Sequence, residues 1–182
     1  MARVVIRAAT SEDEAPFVRL LEASATHLGP WMPQTPWSNV ELFQRFLATG
    51  RTDVHHKSLL VRVADGELLG TVNLNEIIRG AFQNAILGYW LGAAYVGHGY
   101  MREGVALALA QAFEGLALHR VEANVMPRNQ HSRRVLLSLG FRLEGHSPEY
   151  LQIAGRWEGH DRFALVDREW RAARTSIERD ES

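Results

Sequence analysis

The sequence predicts a single α/β (α+β) domain with a central sheet and several helices. The chain has 182 residues, close to the size of one domain, and 46% of them are hydrophobic, enough for one sizeable core. Short apolar runs typical of strands are interspersed with segments whose apolar residues recur at helical spacing. Glycine, proline and tight-turn dipeptides separate these segments. We therefore expect strands and helices to follow one another along most of the chain.

The N-terminus predicts a strand followed by a helix. Residues 3–9, RVVIRAA, are typical of a short strand. Residues 10–28 have helical periodicity, with Ser11 and Glu14 at the spacing of a capping box. The chain is thus expected to open with one strand and one long helix.

An ordered loop and a second helix are predicted next. Residues 29–37, GPWMPQTPW, contain three prolines and two tryptophans, a composition that excludes regular structure but is too aromatic for a solvated linker. Ser38 and Glu41 repeat the capping-box spacing ahead of an apolar helical pattern. Gly50 is placed to end that helix in a left-handed turn.

The middle of the chain predicts a β-hairpin and a buried strand. Residues 58–80 divide into two strands at Asp65-Gly66, a dipeptide suited to the positive φ angles of a tight hairpin. Residues 84–93, NAILGYWLGA, are almost continuously apolar, which is typical of a strand buried on both faces. This strand leads directly into a glycine-containing loop.

The last part of the chain again alternates between predicted helices and strands. The patterns predict a helix over residues 101–118, a strand over 119–126, a helix over 129–140 and the final strands over 141–166. Asn129 is a plausible N-cap of the third of these elements, and Gly140 a plausible end to it. We expect one domain over residues 1–170 and a charged tail over residues 171–182, frayed over residues 174–182, RTSIERDES.

Composition and charge exclude several classes of function. Twenty basic and 21 acidic residues give a formal net charge of −1, so we expect no nucleic-acid partner. The chain has no cysteine, which excludes disulfides, thiolate metal sites and a cysteine nucleophile. No apolar run reaches membrane-spanning length and no secretory signal is present, so we expect a cytoplasmic protein without membrane contact. Neither a zinc-type histidine motif nor a G-x-S-x-G elbow occurs, so neither a metal site nor a hydrolase is expected.

The loop over residues 95–105, YVGHGYMREGV, is the most informative local motif. A strand, a glycine loop and a helix start place unpaired N–H groups at the positive end of the helix dipole, where anions bind. Gly97 and Gly99 allow a ligand to approach the backbone closely. A lone G-x-G is also typical of a simple strand-to-helix turn. The dinucleotide fingerprint requires glycine where Arg102 stands, and no P-loop motif occurs.

Longer stretches resemble the GNAT superfamily of acetyltransferases. They are residues 87–113 (LGYWLGAAYVGHGYMREGVALALAQAF), 119–145 (HRVEANVMPRNQHSRRVLLSLGFRLEG) and 149–165 (EYLQIAGRWEGHDRFAL). The resemblance covers residues 3–170, and the runs GPWMP and RGAFQNAILGYWLG narrow it to the RimJ/RimL branch, which acetylates the N-terminal amine of ribosomal proteins. The superfamily's acetyl-CoA loop, Q/R-x-x-G-x-G/A, is matched by AYVGHG, and Ala94 departs from that pattern.

The resemblance implies a GNAT fold and acetyl-CoA as cosubstrate. This fold has a mixed central sheet of about six to seven strands, helices on both faces, and two splayed parallel strands, here residues 84–92 and 119–126, which hold acetyl-CoA. A backbone N–H near Leu91 would polarise the thioester carbonyl, and Asn129 would bind the pantetheine arm or cap its helix. The implied acetyl-CoA contacts are Tyr89, Trp90, Leu91, Val96, Gly97, His98, Gly99, Tyr100, Met101, Arg102 and Asn129.

Direct attack by an amine requires one group that accepts a proton from the amine and another that returns one to the CoA sulfur. The resemblance to RimL-like members implies Glu149 as the base and Ser132 as the acid. Glu76, at the end of a predicted strand, is an alternative base, and Tyr150 is an alternative acid. Glu149 is also typical of a solvated carboxylate, and Ser132 of a helix cap.

The acceptor is less constrained than the cofactor. The aromatic loop could form one wall of an acceptor groove or anchor itself to the core. The candidate substrate contacts are Trp31, Met32, Trp37, Glu76, Tyr150 and Trp157. The resemblance implies the N-terminal amine of a protein as acceptor, with a small amine (polyamine, amino acid or amine antibiotic) and a non-catalytic CoA sensor as alternatives. Some relatives in the superfamily are dimers, so a homodimer is possible.

Overall fold

A seven-stranded mixed sheet lies at the centre of this computed structural model, which describes residues 2–180, with side chains as far as residue 174. The strands are β1 (Val4–Arg7), β2 (His56–Arg62), β3 (Leu68–Ile78), β4 (Asn84–Leu91), β5 (Arg120–Val125), β6 (Arg142–Ile153) and β7 (Arg156–Val166). Their spatial order is β1-β2-β3-β4-β5-β7-β6. Neighbouring strands are antiparallel except β4 and β5, which are parallel. The predicted mixed sheet is therefore confirmed.

Six α-helices connect or flank these strands in the described residues. They are α1 (Glu14–Ala23), α2 (Ala25–Leu28), α3 (Asn39–Ala48), α4 (Tyr100–Ala110), α5 (Gln130–Ser138) and α6 (Asp167–Asp180). Short 3₁₀ turns cover Ser11–Asp13, Gly29–Trp31 and Ala93–Tyr95, and a π-helical turn over Gln111–Gly115 extends α4. No helix among residues 2–180 has the length and apolar character needed to cross a membrane.

The helices cover both faces of the sheet. Side chains alternate along β2, so Leu60 joins a buried cluster with α4 and α5, whereas Leu59 and Val61 join a second cluster with α1 and α3. We call these the α4 face and the α1 face. On the α1 face Phe17 packs against Phe43 with ring centroids 5.2 Å apart. Burial on both faces explains why the central strands are almost continuously apolar.

Several local signals in the sequence were accurate. Ser38 Oγ accepts from Glu41 N at 3.3 Å, and Glu41 accepts from Ser38 N at 2.8 Å, so the second capping box is confirmed. Gly66 has φ +74° in the β2–β3 hairpin, as predicted. Asn129 caps α5, and Gly140 follows it with φ +86°.

The first helix differs from the prediction in its cap and its length. Asp13, not Glu14, accepts from Thr10 N at 2.8 Å, because Asp13 also pairs with Arg7 of β1 at 2.6 Å. The helix then breaks at Ser24, which is buried and accepts from a backbone N–H of a distant loop. Contacts from other elements thus override the local helical pattern.

Two further boundaries differ from the sequence analysis. Gly50 follows α3 but has no positive φ, so the predicted left-handed turn does not form there. Helix α6 continues through Asp180 and so includes residues 174–180, for which the sequence predicts a frayed tail. Its anchor is Trp170, which is 7% exposed and lies 5.3 Å from the ring of Phe113. Met1 and the last two tail residues lie outside the described range.

Candidate active site

The two parallel strands separate soon after they begin. Residues Asn84–Ile86 of β4 pair with Arg120–Glu122 of β5. Beyond these pairs, Leu87–Leu91 and Ala123–Val125 remain paired with β3 and β7 on their outer sides but not with each other. We call the resulting gap the wedge. Its closed end lies at the paired residues and its open end at the carboxyl ends of both strands.

Backbone donors point from β4 into the wedge. Gly92 N donates to Leu69 O of β3 at 2.8 Å. Hydrogen-bonding residues alternate along an antiparallel strand, so the N–H groups of Leu91 and Tyr89 point away from β3, toward the wedge. No strand pairs with them among the described residues. They are therefore free to hydrogen-bond a ligand.

The loop after β4 has the geometry of an anion site. Gly97 and Gly99 have φ values of +84° and +81°. The first N–H of α4 with a backbone acceptor is that of Glu103, which donates to Gly99 O at 3.3 Å, so the preceding first-turn N–H groups remain available. A Cβ at Gly97 would meet no described atom within 4 Å. This space, lined by N–H groups at a helix N-terminus, fits a pyrophosphate.

Two contacts hold this loop at its start. Ala93 N donates to Ser24 Oγ at 3.1 Å, and Tyr95 OH donates to Glu67 at 2.9 Å. Ala94, where the superfamily pattern has Gln or Arg, is exposed between these contacts. The neighbouring contacts thus stabilise the loop without a long side chain at position 94.

The centre of the loop is also braced. His98 Nδ1 lies 2.9 Å from Val96 O, and its ring stacks on Tyr100 at 5.7 Å. Arg3 of the N-terminal segment lies over the Tyr100 ring, 5.2 Å from its centroid, and forms an ion pair with Glu103. His98 therefore supports the loop conformation.

The remaining predicted cofactor contacts lie in different environments: the core, the α1 face and the exposed loop. Met101 is 7% exposed and packs in the core, so its N–H alone is available to a ligand. Trp90 points to the α1 face, where its ring lies 5.6 Å from Phe17. Val96 and Arg102 are exposed on the loop.

A pair of hydroxyl groups lies on the α4 face beside the wedge. Tyr89 OH is 2.7 Å from Ser132 Oγ in the first turn of α5. Asn129 Oδ1 accepts from Ser132 N at 3.1 Å, which fixes this turn. Burial raises the pKa of Tyr89 to about 12, and its hydrogen bond to Ser132 opposes that shift. The pair therefore keeps its protons at neutral pH.

The aromatic loop meets the tip of the β6–β7 hairpin. Met32 O accepts from Ala154 N at 3.4 Å, and Arg128 lies 5.0 Å from the ring centroid of the half-buried Trp31. Trp37 instead stacks under Arg45 of α3, with its guanidinium carbon 3.8 Å from the ring. Trp31 thus lies beside Arg128, and the Met32 backbone contacts the hairpin while its side chain packs against the cluster of the α1 face. Trp37 faces α3.

Glu149 and Tyr150, both in β6, take separate positions on this hairpin. Glu149 is exposed, with φ +47°, in an irregular stretch of β6 between Ser147 and Leu151. Tyr150 OH accepts from Asn124 Nδ2 at 3.2 Å. Asn124 lies on the α1 face, because its neighbours in β5 pack on the α4 face. Tyr150 therefore lies across the sheet from the Tyr89–Ser132 pair.

Of the other two predicted substrate contacts, Glu76 lies near the closed end of the wedge and Trp157 lies on the β6–β7 hairpin. Glu76 has φ +49° in a bulge of β3 between Asn75 and Ile78, opposite the closed end. Trp157 is 62% exposed and pairs with Gln152 on the hairpin. Among the described residues no group of His, Cys, Asp or Glu could hold a metal ion.

Two features of the site escaped the sequence analysis. The hydroxyl pairing of Tyr89 with Ser132 joins residues 43 positions apart, and the Asn124–Tyr150 bond joins residues 26 apart. Neither pairing has a local signal, because both depend on the order of strands in the sheet.

Comparison with known proteins decides the family. Residues 3–142 match the family described as "Acetyltransferase (GNAT) domain". The chain belongs to this family. GNAT acetyltransferases use acetyl-CoA, and the wedge and glycine loop fit that cosubstrate.

Curated relatives agree with the GNAT assignment. The chain is 48% identical over 104 residues to the probable N-acetyltransferase YjcK of Bacillus subtilis (strain 168), an alignment that covers 57% of this chain and 58% of that protein. It is 36% identical over 108 residues to the [ribosomal protein uS5]-alanine N-acetyltransferase of Escherichia coli (strain K12), covering 59% and 56%. The aligned segment therefore spans little more than half the length of these relatives.

Solved GNAT structures resemble the whole fold. A ribosomal-protein-S5-alanine acetyltransferase from Vibrio fischeri has a TM-score of 0.84 and 29% identity, covering 93% of this chain and 96% of that one. Mycobacterium smegmatis RimJ in complex with CoA-disulfide has a TM-score of 0.82 and 29% identity, covering 91% and 83%. The resemblance to the RimJ/RimL branch is confirmed.

Proposed function

We propose that this chain transfers the acetyl group of acetyl-CoA to the N-terminal α-amine of a protein, by direct attack in a ternary complex. The wedge carries this proposal, because it combines backbone donors, an anion cradle and a protonated hydroxyl pair at one opening of the sheet. The ribosomal-protein alanine acetyltransferases among the relatives support the choice of acceptor.

The chain's own backbone would hold the cosubstrate. N–H groups from Gly97 to Arg102 would bind the pyrophosphate, and those of Tyr89 and Leu91 would face the acyl group in the wedge. Acetyl-CoA, when bound, supplies a thioester that is activated toward amines. Asn129 already caps α5 through its side-chain oxygen, so its amide nitrogen remains for the pantetheine arm.

Two proton transfers accompany the reaction. The amine nitrogen bonds to the acyl carbon, the carbon–sulfur bond breaks, and the sulfur takes a proton. We assign that proton to the Tyr89–Ser132 pair, since the raised pKa of Tyr89 keeps its phenol protonated. The amine's own proton passes to a base.

Glu149 is our candidate for that base. Near the hairpin, Glu158 pairs with Arg128, and Asp161 is engaged by Arg133. Glu149 forms no ion pair with any described residue, so its carboxylate is available to accept a proton. Its exposed position beside the groove suits exchange of that proton with solvent.

The groove between the aromatic loop and the β6–β7 hairpin is the proposed acceptor site. Met32 of the aromatic loop contacts Ala154 at the hairpin tip, so the two segments meet there. An extended peptide N-terminus could lie along the groove and reach the wedge from the side opposite Ser132. Binding on that side leaves the α4 face for acetyl-CoA.

Acetyl transfer is tested with the full chain, acetyl-CoA and a panel of acceptors. Because the protein has no cysteine, a thiol reagent detects released CoA without background from the protein. We expect turnover with a peptide that has a free N-terminal alanine and none with the same peptide blocked at Nα but retaining a lysine. Product mass locates the acetyl group.

Other outcomes would contradict this proposal. Acetylation of spermidine or free amino acids alone would indicate a small-amine enzyme. Binding of CoA without turnover on any acceptor would indicate a sensor. Acetylation of the blocked peptide would indicate a lysine acetyltransferase.

A further inference from the structure

A buried oxygen without a partner lies beside the wedge. Asn124 belongs to the part of β5 that has separated from β4, and its side chain lies on the α1 face. Its Oδ1 is buried and has no hydrogen-bond partner among the described residues. The other end of the amide is engaged, because Nδ2 donates to Tyr150 OH at 3.2 Å. Oδ1 is thus the end of this amide that is left for an incoming donor.

Tyr150 and His160 hold this amide in place. The Tyr150 ring lies 5.6 Å from that of His160, tilted by 55°. His160 is 3% exposed, and its Nδ1 lies 2.9 Å from Glu158 O, so this nitrogen carries the proton that is donated to the carbonyl. A fixed imidazole supports the Tyr150 ring, and the Tyr150 hydroxyl fixes the Asn124 amide.

The position across the wedge from Asn124 has no side chain. Extending the β4–β5 register by two residues beyond the Ile86–Glu122 pair places Gly88 opposite Asn124. Alternation along β4 puts Gly88 on the α1 face, because Trp90 lies on that face. Gly88 thus adds no side chain beside this unpaired acceptor, and the atom nearest to where its Cβ would lie is Asn75 Nδ2, at 3.3 Å.

We propose that Asn124 Oδ1 accepts a hydrogen bond from the acceptor amine and positions it for attack. An amine is a donor, and a buried oxygen without a partner has the complementary chemistry. This assignment rests on the proposed function and adds a specific substrate contact to it. The amine is held on the α1 face, and the Tyr89–Ser132 pair lies on the α4 face.

The test compares Asn124→Leu with Asn84→Leu. Asn84 is a matched control, since its Oδ1 is also buried without a described partner but lies at the closed end of the wedge. We expect Asn124→Leu to raise the KM for a peptide with a free N-terminal alanine about 10-fold. Its affinity for CoA should not fall. Its Tm should change little, because removal of an unsatisfied buried oxygen offsets the loss of the Nδ2–Tyr150 hydrogen bond. Asn84→Leu should leave the peptide KM unchanged.

Asn124→Asp separates the oxygen from the amide nitrogen. Aspartate keeps an acceptor but no N–H donor, so peptide binding should stay within about 3-fold of the wild type. Loss as large as in Asn124→Leu would assign the role to Nδ2 and overturn the proposal. A wild-type KM in Asn124→Leu, or equal increases in Asn124→Leu and Asn84→Leu, would also overturn it.

Calorimetric titration of the CoA-loaded protein with the same peptide measures this contact without turnover. Reduced peptide affinity in Asn124→Leu but not in Asn84→Leu supports the contact even if the wild type transfers no acetyl group. Equal peptide affinity in the wild type and both variants overturns it. Failure of the proposed function and failure of the contact therefore give different results.

Discussion

Replacement of Gly97 by alanine separates the anion cradle from ordinary turn geometry. Gly97 has φ +84°, and a Cβ there would meet no described atom within 4 Å. The change therefore introduces left-handed strain of about 1–2 kcal/mol and a methyl group in the cradle. Gly66 (φ +74°) and Gly80 (φ +68°) have the same two properties away from the wedge. We expect all three alanine variants to lose similar stability.

CoA affinity should fall in Gly97→Ala alone. A hydrogen bond to a charged group contributes about 1.5–3 kcal/mol, so displacing one phosphate contact would raise the Kd about 10- to 100-fold. Thermal unfolding and calorimetric titration with CoA on Gly97→Ala, Gly66→Ala and Gly80→Ala measure the two effects separately. Unchanged CoA affinity in Gly97→Ala, or the same loss in all three variants, would refute the cradle.

Three further predictions concern protons and charges. Tyr89→Phe should lower kcat about 10- to 100-fold without weakening CoA binding. Because the raised pKa of about 12 keeps the Tyr89 phenol protonated, the wild-type pH–rate profile should show no alkaline fall from this group below about pH 11. Full activity in Tyr89→Phe would exclude Tyr89 as the acid. Glu149→Gln should reduce turnover at pH 7. Glu76→Gln is the control and should not reduce it, since Glu76 is also exposed and has a φ near that of Glu149. The reverse result would make Glu76 the base. Arg7 holds the pKa of Asp13 below its usual value, so this pair stabilises the fold above the unfolded pKa and the effect is lost as pH falls through the lower folded pKa. Asp13→Asn should reduce the free energy of unfolding by about 1 kcal/mol at pH 7, with the difference from wild type shrinking in acid denaturation experiments; a constant difference would contradict the pairing.

The fold was predictable where short-range chemistry decides it. The Ser38–Glu41 capping box and the turn at Gly66 depend on residues at most four apart, and both formed as predicted. The predicted Ser11–Glu14 box did not form. Arg7 of β1 pairs with Asp13, which instead completes a capping box with Thr10 at the 3₁₀ turn before α1. A contact made by another element is decided by tertiary packing, which local spacing does not encode.

The same limit applies to the site. The sequence indicated the glycine loop as a candidate anion site, because such a site is built from consecutive backbone groups. It assigned Ser132 by resemblance but had no signal that Tyr89 would be its partner. Nor could it select Asn124, since an unpaired buried oxygen is a property of packing. To predict residues that act through neighbours in space, one must know the order and register of the strands.

The two faces of the wedge differ in a way that direct transfer requires. Gly88 and Tyr89 are consecutive in β4, so they point to opposite faces about 3.3 Å apart along the strand. Tyr89 brings a proton donor to the α4 face together with Ser132, while Gly88 adds no side chain on the α1 face next to Asn124. An acyl carbon between the strands would then have its attacking amine on one side and its departing sulfur near the acid on the other.

This arrangement depends on the register of β4 against β3. A one-residue slip would exchange the faces of Gly88 and Tyr89 and place the phenol where the amine should bind. Close approach of the strands holds the register, because a Cβ at Gly70 would lie 2.1 Å from Trp90 O and only glycine permits this contact. The bulge at Glu76 ends the regular pairing near the closed end. Glu76 thus has a structural role that is independent of whether its carboxylate takes part in catalysis.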